Sequence, residues 1–550
     1  MSPHYAAPSG FGGAFLTDLP TRAAYSEGAG PYRIVPAAVA VPRTVEDLAC
    51  LTHWAAAEDT SLVPRGAGSG MPGGNVGAGV VVDLQELDTS IAIVDDAATV
   101  GAATTWKALN DRAAARGLRL PPDPSSGAFC TIGGMIATNA AGARSLAFGS
   151  IRPWIRAVEI VTADGEVGWL TRGGEPAPDD VQRPGVDLAA LRRLADQAAP
   201  AIRHARATIA ARYPRTTKNS SGYALDRYLE SGDALDLIVG SEGTLAFVTR
   251  AVVGVAPVPT AEGGVLLALD DLATLPDVVA RLLRCRPAAI ELMDRTLLAV
   301  AGRSADIPLT RVEAVLLVAF ERPTASAVRD AVAAAVTAAE DAVFANTALG
   351  AADLDRLWSV RHAASPALAA LPESRRSLQV IEDGCVPLPQ LGRYVRGVRE
   401  AAAHAGIEVV VFGHAGDGHV HVNALVDTAD PDLARRLEDL LGAVTALLIR
   451  LEGTPTGEHG DGRLRASSLE RFYGVEVVDL FRRVKRAFDP RRILNPGVIL
   501  PAAGARTLAD LKVGDGAASI PDDVARELRA MERDAGWWRS KRELPLAAPR

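Results

Sequence analysis

The sequence predicts an α+β protein of two large mixed domains, 31–256 and 257–500, set between an N-terminal arm, 1–30, and a tail, 501–550. Two observations predict it. Short Val- and Ile-rich runs recur through 31–256 around one long helix-like stretch, the texture of a sheet-rich domain. Through 257–500, strand-like and helix-like stretches alternate with antiparallel hairpin character, which suits an open sheet with helices on one face.

Residues 1–30 are rich in Gly and Ala with few apolar anchors, so a loosely packed arm is expected. Strands are expected at 37–41, 79–84 and 91–94, with a helix at 45–57. Thr44 is placed to cap that helix, and Glu46 and Asp47 put negative charge in its first turn. Asp47 stands where a capping box takes Glu or Gln, so the box reads as imperfect. Residues 155–170 form a hairpin about Asp164-Gly165, and 237–256 is again strand-rich. Further strands are expected at 264–269, 312–320 and 408–412, with helices at 272–283, 325–339 and 431–451. The tail is Ala/Pro-rich and charged, with Trp537-Trp538, and reads as a peripheral helix or disorder.

Composition narrows the function. The chain is 48% hydrophobic and 23% charged, ordinary for a large globular core. A net charge of -8 counts against a nucleic-acid binder. No apolar run reaches the roughly 18 residues of a membrane helix. The first 20 residues lack the basic start and apolar block of a signal peptide. Cys50, Cys130, Cys285 and Cys385 lie far apart, which excludes a cysteine-ligated zinc ribbon or iron–sulfur cluster and fits a reducing cytoplasm.

Pro64-Arg65-Gly66-Ala67-Gly68-Ser69-Gly70 opens a Gly-rich loop running on to Gly74. Glycine reaches positive φ and lets successive N–H groups form a nest for a pyrophosphate. Gly68 to Gly73 satisfies G-x-G-x-x-G, but Pro72 lies inside it and a strand, not a helix, follows, so this is no Rossmann turn. A second cluster begins at Pro124 and carries Thr131, Gly133, Gly134, Thr138, Asn139 and Gly142. Its small residues leave a helix face on which a flat ring can lie. A third, Gly240-Ser241-Glu242-Gly243-Thr244, offers another tight turn, with Lys218 to Tyr223 before it.

Four of the nine histidines fall late: His414, His419, His421 and His459. Alternation with Val420 and Val422 puts His419, His421 and Asn423 on one strand face. A turn at Gly416 and Gly418 can fold His414 back beside His421, a pair suited to a divalent ion such as Zn²⁺. Glu458 is available as a third ligand, and His459 beside it as a base.

The three Gly-rich clusters, in this order, resemble the FAD-binding domain of the vanillyl-alcohol-oxidase/p-cresol-methylhydroxylase superfamily. His414-x6-His421-x-Asn423, Gly457-Glu458-His459-Gly460, Phe488-Asp489-Pro490 and Asn495-Pro496-Gly497 resemble the C-terminal half of the FAD-linked D-2-hydroxy-acid dehydrogenases. That group includes D-lactate dehydrogenase (cytochrome), D-2-hydroxyglutarate dehydrogenase and the glycolate oxidase flavin subunit. The resemblance implies a two-part FAD-binding domain followed by an FAD-linked oxidase C-terminal sheet domain. It implies FAD held by Pro64 to Gly70, Pro124, Thr131, Gly133, Gly134, Thr138, Asn139, Gly142, Glu242, Gly243 and Asn495. Pro64 to Gly74 holds neither His nor Cys, so the FAD is expected to be non-covalent. His414, His421 and Glu458 are implied as metal ligands, Asn423 as a substrate contact, and His459 as the base. Arg361 of Leu357-Trp358-x-x-Arg361 is implied to pair with the substrate carboxylate. His419 is expected to stand behind the ligands, a substrate contact being the alternative.

The implied reaction is oxidation of a small, D-lactate-like D-2-hydroxy acid to the 2-oxo acid, with hydride passing to flavin N5. D-2-Hydroxyglutarate and glycolate are the other substrates of the group. Hydroxyglutarate dehydrogenases carry a Lys two residues before Asp383, where this chain has Ile381, which counts against a dicarboxylate. A non-redox alkylglycerone-phosphate-synthase-type enzyme and a flavin relay subunit are the rival readings. The segments 18–36 and 453–465 are similar to a longer bacterial group fused to an iron–sulfur domain. This chain carries no cysteine cluster, so electrons are expected to leave to a separate iron–sulfur protein, cytochrome, quinone, electron-transfer flavoprotein or oxygen. The expected location is the cytoplasm, or peripherally the inner face of the membrane.

Overall fold

The computed structural model describes residues 5–174, 187–301, 312–534 and 541. Its helices and sheets are mixed in both halves. Residues 14–83 form a four-stranded sheet in the order Ala14–Leu16, Ala38–Val41, Val80–Asp83, Leu62–Arg65. The last three run parallel, and the helix Val45–Ala57 crosses between them. Asp47 completes the cap after all: its carboxylate accepts from Thr44 N, while Thr44 Oγ1 accepts from Asp47 N. The shorter acid also accepts from Gly12 N at 2.7 Å, which ties the start of the chain to the helix.

The arm is therefore packed, contrary to the loose arm expected. The strand Ala14–Leu16 pairs antiparallel with Ala38–Val41, and Tyr25, Ser26 and Glu27 are buried. The anchor is Arg65, whose guanidinium donates to the carbonyls of Tyr25 and Glu27. Small side chains, Ala23 and Ala24, pack beside Tyr25 against Val39, Val63 and Val81, and these carbonyl contacts add to them.

A five-stranded antiparallel sheet follows, in the order Ile91–Val94, Ala97–Gly101, Ala246–Gly254, Ile155–Thr162, Val167–Thr171. The strand-rich reading of 237–256 holds only from Ala246, because Leu235–Ile238 is a short helix.

The second half is a seven-stranded antiparallel sheet. Its order is Phe344–Ala348, Ala261–Leu269, Ala314–Arg322, Ala289–Asp294, Glu408–His414, His421–Val426, Arg376–Leu378. Helices cover both faces, not one. Val265, Leu267, Leu292 and Val411 pack with the helices Leu275–Leu283, Leu391–Ala405 and Leu433–Arg450. Leu266, Met293, Leu317 and Phe412 pack with Leu297, Trp358 and Leu368 on the other side. Strand alternation sends Glu291, His414, His421 and Asn423 to that second face.

The chain then returns. Tyr473, Phe481 and Phe488 of the helix Leu469–Phe488 join the core of the five-stranded sheet, and Leu494 bridges to Leu62. The tail carries a peripheral helix, Asp522–Arg533, in which Glu532 accepts from Arg376 and from buried Lys512. Trp537 and Trp538 lie outside the described residues.

Lys485 is buried and donates to Asp489 Oδ2, Thr244 O and Leu494 O, and burial depresses its pKa. Asp489→Ala strands that ammonium. A loss of about 3–5 kcal/mol is expected, read as a lower melting temperature of the flavin-loaded protein than that of wild type.

Candidate active site

The Gly-rich loop continues the strand Leu62–Arg65 and faces the helix Ile132–Thr138 across a cleft. The cleft is lined by residues of both halves, from the Gly-rich loop to Glu458 and His459. Its wall contains Pro64 to Gly70, Pro124, Thr131, Gly133, Gly134, Thr138, Glu242 and Gly243. Two glycines are dictated by close approach. A Cβ at Gly66 would stand 2.6 Å from Thr131 Oγ1, and Gly68, at φ +77, would meet the Arg65 guanidinium. Thr131 caps the helix through Gly134 N at 3.1 Å. The other N–H groups of its first turn are also taken, Ile132 N by Thr104 O and Gly133 N by Ala102 O.

Several expected cofactor residues do other work. The Arg65 side chain points away from the cleft to the arm. Gly142 and Asn495 lie off the wall: Gly142 O accepts from Lys218 Nζ, and Asn495 Nδ2 donates to Gly74 O and Glu242 O. Asn139 also lies off the wall, at φ 52, with its buried Oδ1 unpartnered among the described residues. The Glu242 carboxylate accepts from Asp461 N and Gly462 N and so clasps the second half. Burial, then the nearby Asp461 charge, pushes its pKa up to about 8.

Glu458 and His459 form the far end of the same cleft. There the expected ligand trio converges. His414 Nε2 is 3.1 Å from Glu458 Oε1, and His421 Nε2 is 3.4 Å from both. The turn Ala415–Asp417, ended by Gly418 at φ +69, folds His414 back onto His421. His419 stays out of the trio: Nε2 donates to Asp383 Oδ1 at 2.8 Å while Nδ1 faces Lys218 Nζ at 3.5 Å. Burial first, together with Lys218, holds its pKa down at about 3.

His459 stacks on His421 with ring centroids 5.0 Å apart, and its Nδ1 lies 2.7 Å from Glu382 Oε2. Burial alone would lower its pKa, but Asp383 and Glu382 hold it up at about 10. Glu382 is in turn held by Arg465 at 2.8 Å. Arg361 donates through Nε to Glu291 Oε2 at 2.8 Å and lies over the Phe412 ring, with its two terminal nitrogens uncommitted among the described residues. Glu291 Oε1 is 2.5 Å from His414 Nδ1. Burial opposes ionisation of Glu291, yet His414 and Arg361 bring its pKa down to about 2. Asn423 donates to Ser377 Oγ at 3.0 Å.

The sequence reading missed Glu291 and Glu382 and gave Lys218 no role. Each had a faint signal: a lone Glu in the apolar run Ala289–Asp294, and a Glu-Asp pair directly after Val380-Ile381. Lys218 is one of only five lysines, and its Nζ donates to Glu458 Oε2 at 2.8 Å.

A cleft walled by Gly-rich turns, with a histidine–carboxylate cluster at its end, is the plan of a flavin-dependent oxidoreductase. The comparisons fix the family. Residues 36–171 match the FAD binding domain family, and 258–499 match the C-terminal domain of FAD linked oxidases. The chain is 31% identical to the glycolate oxidase subunit GlcD of Bacillus subtilis, over 86% of this chain and 92% of that one. It is 30% identical to a D-lactate dehydrogenase of Archaeoglobus fulgidus, over 84% and 91%. It is 27% identical to a D-2-hydroxyglutarate dehydrogenase of Escherichia coli, of which it spans 51%. The chain belongs to the FAD-linked D-2-hydroxy-acid dehydrogenase family and is an FAD-dependent oxidoreductase. In fold it is similar to a 4-ethylphenol oxidase from Gulosibacter chungangensis, at TM-score 0.64 and 13% identity over 89% of this chain and 95% of that one. It is also similar to an alkyldihydroxyacetonephosphate synthase, at TM-score 0.59 and 18% identity over 88% and 83%. Among the described residues no helix is long and apolar enough to cross a membrane.

Gly68→Ala forces a side chain into positive φ against Arg65. Flavin absorbance per purified chain is expected to fall well below that of wild type, with the far-UV circular dichroism retained.

Proposed function

We propose that the protein oxidises a small, D-lactate-like D-2-hydroxy acid to the 2-oxo acid, using non-covalent FAD and a divalent metal, Zn²⁺ being the best fit. One observation carries this reading: Glu458 and His459 belong both to the wall of the FAD cleft and to the histidine cluster linked through Glu291 to Arg361.

The residues suit both groups. Glycines and alanines line the cleft where FAD would lie, and the Gly-rich loop Gly66 to Gly70 suits a nest for its phosphates. Burial pushes the Cys130 thiol up to about 11, so it stays protonated and is a poor site for covalent flavin attachment. The trio His414, His421 and Glu458 has separations of 3.1–3.4 Å. Tetrahedral Zn²⁺ with bonds of ~2.0–2.1 Å spaces its ligand atoms by about 3.3 Å. Bound FAD supplies the acceptor for the α-hydrogen as hydride, and a bound divalent ion acidifies the substrate hydroxyl and disfavours the proton on neighbouring His459.

The chain's own groups do the rest. The two terminal nitrogens of Arg361 match the fork of a carboxylate. His459, oriented by Nδ1–H donation to Glu382, takes the hydroxyl proton at Nε2. Nearby cations other than Arg361 are committed: Arg144 to Asp123 and Glu321, Lys218 to Glu458, Arg465 to Glu382. Ile381 lies in the hydrophobic core. Both facts favour one substrate carboxylate over two. Electrons then leave to a separate acceptor.

Anaerobic addition of D-lactate is expected to bleach the flavin band, L-lactate to leave it unchanged, and EDTA pretreatment to abolish the bleaching. His459→Asn is expected to keep its flavin and lose about 10²–10⁴ in kcat. A flavin that no 2-hydroxy acid reduces would sink the reading.

A further inference from the structure

We infer that Glu291 is a positioning residue that serves metal and substrate together: one carboxylate oxygen fixes the metal-facing nitrogen of His414, and the other aims the guanidinium of Arg361. The inference rests on the roles proposed above for His414 and Arg361 and adds the device that couples them.

Glu291 sits in the middle of the strand Ala289–Asp294 and is the register partner of His414 on Glu408–His414. Its neighbours on that strand are Ile290 and Leu292, and it is 0% exposed. An ionised carboxylate in such a place persists only with strong partners. It has one on each oxygen: His414 Nδ1 at 2.5 Å on Oε1 and Arg361 Nε at 2.8 Å on Oε2.

Each contact decides something. A carboxylate accepts only, so His414 must donate from Nδ1, and in the neutral ring that binds a metal the lone pair is left on Nε2. Nε2 is the atom that faces Glu458 Oε1 and His421 Nε2. Orientation of a metal-binding imidazole by a carboxylate is a common means of raising metal affinity. On the other side, with Nε taken and its plane laid over Phe412, the guanidinium has one free edge, carrying the two terminal nitrogens. A displacement of Glu291 therefore disturbs the metal ligand and the carboxylate clamp at once.

Glutamine cannot do both tasks. With its oxygen toward His414, its amide N–H groups face the Arg361 Nε–H. Flipped, the amide N–H meets Nδ1 and drives the proton of His414 onto Nε2, which then cannot bind metal. Leucine, which suits the apolar strand, removes both contacts.

The test uses wild type, Glu291→Leu and Glu291→Gln as flavin-loaded proteins, stripped with chelator and titrated with Zn²⁺ alone, then assayed with D-lactate. Glu291→Leu is expected to weaken Zn²⁺ binding about 10–100-fold and to raise KM roughly tenfold or more, with an unchanged flavin band. Glu291→Gln is expected to keep one of the two properties and lose the other. A Leu variant that retains either property within twofold of wild type overturns the inference. Should that variant not fold, a Gln variant that keeps both overturns it equally. Wild type that binds Zn²⁺ but oxidises no hydroxy acid defeats the function reading alone, and the Zn²⁺ titrations still decide whether Glu291 orients His414.

Discussion

Four buried carboxylates, those of Glu291, Glu382, Asp383 and Glu458, set the terms on which this molecule folds around its site. Burying such charges is tolerated only when each is paired and hydrogen-bonded. The partners come from both halves. Lys218 reaches Glu458 from the first half, and Ser145 of that half donates to Asp417 of the second at 2.5 Å. In the other direction, Glu242 of the first half takes the N–H groups of Asp461 and Gly462. The halves cannot slide past each other without uncovering a charge. The distance between the Gly-rich cleft and the histidine cluster is therefore fixed by ion pairing rather than by a flexible linker.

The returning segment makes the same point in apolar terms. After Glu458 and His459 the chain runs back, and Tyr473, Phe481 and Phe488 enter the core of the five-stranded sheet. Lys485 pins Thr244 O and Leu494 O together, beside the turn that carries Glu242. The Asp461 carboxylate accepts from Ser221 Oγ and Gly222 N. His459, two residues earlier, is thus held against the cleft from either side. A division at residue 256 describes the order of the sequence but not the packing.

Much of this was legible in the sequence. The helix Val45–Ala57 followed from Thr44, the acidic first turn and the apolar spacing, and the cleft wall from the three Gly-rich clusters. The convergence of His414 and His421 followed from strand alternation and two glycines. What escaped was long-range and polar. Glu291 meets His414 across 123 residues, and nothing local in an apolar strand names that partner. Arg65 sits in the phosphate loop by sequence yet serves the arm, because its strand carries that side chain to the opposite side. The arm is held by small buried side chains, Ala23 and Ala24, and by carbonyls, neither of which stands out in a Gly/Ala-rich segment.

Spacing cannot assign roles to the histidines, but their partners can. His419 has Asp383 on one nitrogen and the Lys218 ammonium on the other, and burial with that cation keeps the ring neutral, at about 3. His414 is just as buried, yet Glu291 and Glu458 hold it up at about 9. His459 is held higher still by Asp383 and Glu382. Three imidazoles within one cluster thus differ by several pKa units, because carboxylates outweigh burial at His414 and His459, while at His419 burial and Lys218 outweigh the one carboxylate, Asp383. His419 is left as scaffold, and the two rings that attract positive charge are those that border Glu458 and the end of the cleft. The division of labour among the histidines is written in residues 200 or more positions away as much as in their own spacing: Lys218 lies 201 residues from His419 and 240 from Glu458.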